Sequence, residues 1–416
     1  MLLQVLKFRD IIDYVCDKIT FKEANMRKVF VTLCPLDIPA FLPNGIYTEL
    51  YQAPIYEHAY KKIENATRAL GLDYEVVRAS GCNIPGTLSE ITAELEDIVI
   101  FASPFVFLAR NADVEGAINY ITKTDLGYST VGTPKSLYMT VGISKMISKS
   151  SVGTPTEFIT AITDGGARCP HADFADTEAS APKSIIDYHQ KTEAYRREYL
   201  EYLIRFGVQI ESTDGIVVSP YATIEEDVKI DTGCHIYGNS HISRGAKISK
   251  DAFIKSSTVG EESFIGSSRI EDCIIEKNVT VESWCVLKER CHLISGVRIG
   301  NFCEIVNTTL LNDCTVSSHC HIWDSEIGSR VTIGSGVITI NYEANRRHSR
   351  CRIGDDAVIG CGSSLVLPIE IGVNSFVAAG STVTDDVPTG ALAIARQYQT
   401  NRNGWAARRK NNGKHI

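Results

Sequence analysis

In the second half of the chain an aliphatic residue recurs at every sixth position, a period that few folds can accommodate. Isoleucine occupies every sixth position from residue 224 to 254, and the beat resumes over 275–305 and 353–383. A period of six fits neither an α-helix nor a simple alternating strand. It is the period of a parallel β-helix, whose triangular coil turns a corner every hexad and buries the aliphatic residue of each side. The sequence predicts roughly nine coils of three hexads, with a glycine after the aliphatic residue permitting the tight corners.

Residues 1–183 lack this beat and alternate between two other patterns. "KVFVTLC" and "EDIVIFASPFVFL" are typical of buried strands, whereas "APIYEHAYKKIENATRALG" and "ADVEGAINYITKTDLG" have helical spacing with a terminal glycine. This alternation predicts an α/β domain. We therefore divide the chain into an α/β domain (1–183), a linker helix (184–208), a β-helix (209–390) and a basic C-terminal tail (391–416).

Composition excludes several classes of protein. A net charge of −8 argues against general binding to nucleic acid or to a membrane surface, and no apolar run reaches membrane-spanning length. Nine of the 13 cysteines follow residue 220, mostly in slots that take small apolar residues. We interpret them as buried reduced thiols and expect a cytoplasmic protein. Neither "CPHADFAD" nor the two histidines of "SSHCHIW" has a zinc spacing, so we expect no metal.

A polar loop interrupts the repeat within "VTIGSGVITINYEANRRHSRCRIG". Its cations are concentrated in seven residues of an acidic chain, and guanidinium groups match phosphate oxygens. This pattern predicts binding of an anion, and the alternative is a solvated loop without a role. The cationic side chains are Arg346, Arg347, His348, Arg350 and Arg352.

The segments "ITINY", "AAGSTVTDDV", "ALAIAR" and "QTNRNGW" are more specific than the repeat itself. Together with the helix "RREYLEYLIRFGV", these segments carry a resemblance to a known family. Residues 195–410 closely resemble the C-terminal part of the bifunctional glucosamine-1-phosphate N-acetyltransferase / N-acetylglucosamine-1-phosphate uridylyltransferase. The resemblance implies a left-handed β-helix that transfers an acetyl group from acetyl-CoA to the amine of an amino-sugar phosphate. It also implies a homotrimer with sites between subunits, in which the loop helps to close a neighbour's site.

The resemblance assigns several positions on the donor side. Arg396 in "ALAIAR" matches the family's CoA-phosphate arginine, and Ala379 matches a residue whose backbone contacts the pantetheine arm. Cys361 stands where the family usually has a serine. Asn341 and Tyr342 match the family's Asn-Tyr pair at the amino-sugar end, although Asn341 can also be read as a polar residue of the prism wall.

The catalytic position departs from the family. The family's base is a histidine, and the aligned residue here is Ser318, with His319 next to it and His321 three residues on. Neighbouring residues of a strand point to opposite faces, so both histidines would face away from the Ser318 side unless a corner intervenes. His319 is a candidate base. The alternative is a hydrogen-bonded histidine of the prism or of the trimer contact.

The phosphate side of the acceptor site also departs. Lys288 stands where the family has a sugar-phosphate arginine, and Val306 and Asn307 replace a pair of lysines. We assign Lys288, Arg346 and Arg350 to the substrate phosphate. The acceptor, an amino-sugar phosphate or a nucleotide-linked amino sugar, is therefore less closely defined than the donor.

The N-terminal half resembles a shortened, degenerate nucleotidyltransferase. It lacks the glycine-rich turn that would bind a triphosphate, and Ser103-Pro104 stands where a magnesium-binding aspartate is expected. We expect uridylyltransferase activity to be lost. Three hypotheses remain for the chain: an acetyl-CoA-dependent acyltransferase, a non-catalytic homologue that binds CoA or a sugar nucleotide as a scaffold, and an active UDP-N-acetylglucosamine diphosphorylase.

Overall fold

A computed structural model describes residues 28–33, 42, 49–71, 75–78, 98–103, 105–124, 128–133, 136–143, 171–174, 182–341 and 350–406. The chain forms two compact units. Unit 1 comprises Met1–Leu50 and Pro54–Glu198, and unit 2 comprises Tyr51–Ala53 and Tyr199–Ile416.

Unit 1 is an α/β domain built on a mixed sheet of six strands in the order β4-β1-β5-β7-β6-β8. Strands β4, β1 and β5 are parallel, β7 is antiparallel to β5 and β6, and β8 is parallel to β6. This confirms the α/β prediction and the two predicted strands. The six strands of this sheet are β1 (Lys28–Leu33), β4 (Glu75–Arg78), β5 (Ile98–Ala102), β6 (Tyr128–Thr133), β7 (Ser136–Ile143) and β8 (His171–Phe174). Strands β2 (Glu49–Leu50) and β3 (Ala53–Pro54) pair in a separate two-stranded sheet.

Within the described residues, three helices accompany the strands, all at positions with helical spacing in the sequence. They are α1 (Ile55–Ala69), α2 (Asn111–Thr124) and α3 (Ile185–Arg205), and a 3₁₀ turn spans Val106–Leu108. Helix α3 is the helix predicted to lead into the repeats. It begins in unit 1 and ends in unit 2.

Buried polar groups join α1 to the first part of α3 within unit 1. The Lys62 ammonium donates to the Glu198 carboxylate at 2.6 Å, with the lysine side chain almost fully buried. The His58 Nε2–H donates to the Leu50 carbonyl at 2.7 Å, which leaves Nδ1 to accept from the Tyr195 hydroxyl at 3.1 Å. Burial lowers the pKa of His58 to about 4, although the bond to Leu50 opposes the shift.

Unit 2 is a left-handed parallel β-helix with three flat faces. Face 1 has ten strands, face 2 has nine and face 3 has eleven. Face 1 is β10 (Val217–Val218), β13 (His235–Tyr237), β16 (Phe253–Lys255), β19 (Arg269–Glu271), β22 (Val286–Lys288), β25 (Glu304–Val306), β28 (His321–Trp323), β31 (Ile338–Ile340), β34 (Ser364–Val366) and β37 (Thr382–Val383). Face 2 is β11 (Thr223–Ile224), β14 (His241–Ile242), β17 (Thr258–Val259), β20 (Ile274–Ile275), β23 (His292–Leu293), β26 (Thr309–Leu310), β29 (Ser325–Ile327), β32 (Cys351–Ile353) and β35 (Ile369–Ile371). Face 3 is β9 (Gln209–Ile210), β12 (Lys229–Ile230), β15 (Lys247–Ile248), β18 (Phe264–Ile265), β21 (Thr280–Val281), β24 (Arg298–Ile299), β27 (Thr315–Val316), β30 (Thr332–Ile333), β33 (Val358–Ile359), β36 (Phe376–Val377) and β38 (Leu392–Ala393).

The prism is longer than the predicted nine coils. The hexad beat was counted from residue 224, but β9 and β10 precede it and β38 follows its end. These terminal coils form because their backbones continue the ladder: Gln209 pairs with Lys229, and Phe376 pairs with Leu392. Backbone hydrogen bonding therefore extends the fold beyond the part that the side-chain pattern marks.

The interior is filled as the repeat predicts. The beat residues stack one above another, and those at 236, 254, 287 and 305 are completely buried. The described cysteines are free, and eight of them are buried while Cys361 is exposed, which confirms the prediction for the prism slots. Burial raises the pKa of the Cys351 thiol to about 12, so this thiol is a packing group rather than a nucleophile.

Glycine is required after the aliphatic residues for a different reason from the one predicted. Gly334 does not adopt a left-handed backbone, but a β-carbon there would lie 2.6 Å from the backbone nitrogen of Cys361 in the next coil. Close approach of successive coils, rather than a special turn geometry, requires glycine at this position.

Candidate functional site

One corner of the prism, between face 3 and face 1, consists of glycine in three successive coils. Gly336, Gly362 and Gly380 have φ values of 74°, 66° and 72°, a left-handed conformation that glycine adopts without strain. The Gly336 N–H donates to the Ser318 carbonyl at 3.2 Å, and the Gly380 N–H donates to the Cys361 carbonyl at 2.9 Å. We call this column of three residues the glycine corner.

The glycine corner forms an open trough. A β-carbon at Gly362 would have no atom within 4 Å, and one at Gly336 would meet only backbone atoms of Gly362, at 3.8 Å and beyond. A β-carbon at Gly380 would lie 3.8 Å from Cδ of Arg396. The trough therefore runs along the axis without side chains until it reaches the Arg396 side chain. The four coil steps from His319 to Arg396 span about 19 Å at the usual strand spacing.

A stack of rings closes the opposite end of the trough. Trp284, Phe302 and His319 occupy the same corner of successive coils, with φ values of 66°, 59° and 64°. The ring centroids of Trp284 and Phe302 lie 6.5 Å apart, and those of Phe302 and His319 lie 5.0 Å apart with an interplanar angle of 8°. Ser318 and His319 thus belong to a corner, and the expected alternation of strand faces does not apply to them.

Beside the glycine corner, face 1 carries a group of charged side chains that point outward. Glu304 contacts two neighbours: its Oε1 forms an ion pair with Lys288 Nζ at 3.4 Å, and its Oε2 lies 3.3 Å from His321 Nδ1. Glu304 and His321 are paired in register on adjacent strands. Sequence reasoning selected Lys288 but missed this pair. The available signal was the spacing of 17 residues, which is one coil of this prism.

The strand ladder opens directly above this group. His321 pairs with Ile338, but the Trp323 N–H donates to the Thr339 hydroxyl at 2.8 Å. Thr339 occupies the inward column that Ile322 and Leu365 fill in the adjacent coils. The irregular coil is the one from which the basic loop departs, so the break in the repeat coincides with a break in the ladder.

Asn341 and Arg350 flank that loop on either side of another corner. Asn341 follows β31 at the far end of face 1 and is exposed, and Arg350 precedes β32 on face 2. Arg350 forms an ion pair with Glu326, and Arg352 bonds the same carboxylate at 3.2 Å. The two cations at this end of the loop are therefore matched by a carboxylate of face 2. The assignment of Arg350 to a substrate phosphate stays a prediction.

Some predicted positions lie outside the described residues, among them Tyr342 and Arg346. Within the described ranges, no three histidine, cysteine or acidic side chains are grouped as metal ligands. Over the same ranges, no helix is both long and apolar enough to cross a membrane.

An open groove of about 870 Å³ lies on face 2 near the C-terminal end of the prism. Its charged lining consists of one guanidinium and four carboxylates, and none of the predicted donor residues contributes to it. An acidic lining disfavours a polyanion such as CoA, so this groove does not fit the predicted donor. The charged side chains are Glu326, Arg352, Asp355, Glu370 and Asp386.

The coils and their repeat define a protein of the hexapeptide-repeat β-helix class. The family described as "GlmU-like, C-terminal hexapeptide" matches residues 245–326. The chain is 40% identical over 204 residues to the bifunctional protein GlmU of Caldicellulosiruptor saccharolyticus, which covers 49% of this chain and 44% of that protein. It is 33% identical over 222 residues to the same-named protein of Halalkalibacterium halodurans, covering 53% and 49%. The chain thus spans about half the length of the curated relatives that it matches.

Among solved structures, the UDP-N-acetylglucosamine acyltransferase of Francisella novicida is 19% identical with a TM-score of 0.31. That match covers 45% of this chain and 67% of the other.

Proposed function

We propose that the chain is an acetyl-CoA-dependent N-acyltransferase that acts on an amino-sugar phosphate. The observation that carries the proposal is the side-chain-free trough of the glycine corner, which ends at Arg396 and begins at a group of ionisable side chains on face 1. Similarity to proteins named bifunctional protein GlmU supports it.

The donor fits this trough by shape and by charge. An extended pantetheine arm needs a flat path along the coils, and glycine provides it because no β-carbon intrudes. Cys361 and Ala379 are both exposed, and they immediately precede Gly362 and Gly380 on that path. The Arg396 guanidinium at the end of the trough presents a planar fork of N–H donors, which suits a CoA phosphate.

The acceptor would bind at the other end, where Lys288 and Asn341 supply a cation and an amide for a sugar phosphate. The amine must lose a proton before it attacks the thioester, and the imidazole of His319 or of His321 can take that proton. We further propose a cytoplasmic homotrimer, in which the loop carrying Tyr342 and Arg346 closes a neighbour's site.

We propose that unit 1 has lost uridylyltransferase activity. At the end of β5, the Ser103 hydroxyl accepts a hydrogen bond from the Phe105 N–H at 3.2 Å. This neutral hydroxyl, already engaged in the turn, lacks the negative charge with which an aspartate holds magnesium. The alternative for the whole chain is a scaffold that binds CoA or a sugar nucleotide without turnover, and Ser318 in place of the family's histidine favours it.

Release of thiol from acetyl-CoA, measured with a panel of amino-sugar phosphates and with mass detection of the product, tests the proposal. We expect release that depends on the acceptor and a product heavier by one acetyl group. Binding of acetyl-CoA without release for any acceptor would favour the scaffold. Release of pyrophosphate from UTP and a sugar phosphate would show that unit 1 is active.

A further inference from the structure

We infer that His321, oriented by Glu304, is the general base of the acyl transfer, and that His319 is not. This inference rests on the proposed function. The observation behind it is the pair itself, a carboxylate and an imidazole held in register on the outward side of face 1.

The geometry assigns each nitrogen of the imidazole a role. Nδ1 lies 3.3 Å from Glu304 Oε2, so the proton on Nδ1 is held by the carboxylate. The lone pair of Nε2 is then left to accept a proton, and the side chain is 54% exposed to a ligand on face 1. A carboxylate in this position fixes the tautomer and stabilises the imidazolium that forms. Lys288 forms an ion pair with the other oxygen of Glu304 at 3.4 Å, which helps to hold that carboxylate in place.

His319 lacks these features. Its ring lies flat on Phe302, and no residue in the described part of the chain forms a hydrogen bond with either ring nitrogen. No carboxylate fixes its tautomer. Its stacked position makes it the end wall of the trough, where it can contact the thioester and limit how far the donor extends.

His321 is correctly placed relative to the donor. The outward column His321, Ile338, Ser364 and Thr382 runs along face 1 with one residue in each coil. Each member stands two residues after the matching member of the corner column of His319 and the three glycines. The two columns are therefore adjacent, and His321 lies at the same end as His319. A thioester that reaches the end of the trough is next to the Nε2 side of His321.

The step balances without any further reactant. Nε2 of His321 removes a proton from the acceptor ammonium, and the amine nitrogen attacks the thioester carbon to form a C–N bond. After loss of the second nitrogen proton, the tetrahedral intermediate expels the CoA sulfur and the C–S bond breaks. The imidazolium returns its proton to the thiolate, which leaves an amide, neutral His321 and the CoA thiol, and the other proton goes to solvent.

The test compares His321→Ala with a matched control on another face. His292 forms the same kind of pair with Glu276 on face 2, at 3.2 Å, so His292→Ala removes an equivalent pair away from the site. His321→Ala should lower kcat by roughly 10²–10⁴, the usual share of general base catalysis, with KM for acetyl-CoA unchanged. Imidazole added to the buffer should restore part of the rate. His292→Ala should keep the parent rate.

Variants of His319 and Glu304 test the separate roles of these two residues. His319→Ala should raise KM for acetyl-CoA with little change in kcat, because it removes a wall and not a base. Glu304 is a positioning residue, so Glu304→Gln should lower kcat without changing KM for acetyl-CoA, and Glu304→Asp should recover part of the loss. Thermal unfolding of each variant checks that the prism is intact, and His321→Gln serves where His321→Ala does not fold.

Other results would overturn the inference. Full kcat in folded His321→Ala or His321→Gln would overturn it, and so would a fall in kcat for His319→Ala that imidazole restores. A parent protein that binds acetyl-CoA but transfers nothing to any acceptor would overturn the proposed function, and this inference with it.

Discussion

The side chain of Arg396 stands directly over Gly380, so that a β-carbon at Gly380 would lie 3.8 Å from Arg396 Cδ. Glycine at this corner accepts the left-handed backbone, with φ of 72°, and the arginine side chain lies within van der Waals reach above it. The relationship joins a residue of the C-terminal segment to the last coil of the trough. It brings the "ALAIAR" segment next to the glycine corner, as the proposed donor site requires.

Replacing Arg396 should weaken the binding of CoA. Arg396→Ala removes a charged hydrogen-bond donor at the end of the trough and should reduce the binding free energy of CoA by about 1.5–3 kcal/mol. Arg298→Ala, an exposed arginine of face 3, is the control and should bind as the parent does. Titration calorimetry measures both, and equal affinity in Arg396→Ala and the parent would contradict the donor assignment.

A side chain placed in the trough should also block the binding of CoA. Asparagine tolerates the left-handed backbone, as Asn374 does in this chain with φ of 54°, so Gly362→Asn adds a side chain at little backbone cost. Gly390→Asn is a matched control, because Gly390 has nearly the same φ of 68° and equally open surroundings, but at another corner. We expect CoA affinity to fall at least tenfold in Gly362→Asn only. Equal affinities would mean that the donor binds elsewhere.

The sequence predicted the architecture of unit 2 because its repeat records which residues face inward, and inward packing is a local property of each hexad. It could not predict that Ser318 and His319 lie at a corner. The position of a corner depends on where the six-residue spacing becomes irregular. The alternation of side chains along a strand does not predict that position. The Glu304–His321 pair was missed for a related reason, since contact across coils requires the register as well as the period.

Unit 1 depends on its buried ion pair. Glu198→Leu would leave the Lys62 ammonium buried without its partner and should destabilise the unit by about 3–5 kcal/mol. The double variant Lys62→Met with Glu198→Leu should recover much of this loss, because it removes both charges. Glu64→Gln breaks the more exposed pairs that Glu64 forms with Lys61 and Arg68, and should cost under about 1 kcal/mol. Calorimetric unfolding that shows no difference between the single and the double variant would contradict this account.

Acid should destabilise unit 1 through His58. Its pKa in the folded protein is about 4, below the usual 6.5, because it is buried. Below pH 6.5 the unfolded chain therefore binds a proton that the folded chain does not. The free energy of unfolding should fall by roughly 2 kcal/mol between pH 6.5 and 5, and fall further until about pH 4.

Urea unfolding of the parent and of His58→Gln at pH 7 and pH 5 measures this effect. The variant should lose less stability on acidification than the parent, because glutamine does not titrate. His189→Gln, on the exposed side of α3, should behave as the parent does. An equal loss of stability in His58→Gln and the parent would show that His58 does not cause the acid sensitivity.

A crystal structure of the protein with bound CoA tests the account most directly. The account predicts the pantetheine arm along Gly336, Gly362 and Gly380, with the sulfur toward the His319 end and a phosphate at the Arg396 guanidinium. It further predicts that His321 Nε2 faces the sulfur across the edge of face 1. CoA bound in the groove beside Arg352, or no CoA at a concentration that saturates binding in solution, would contradict it.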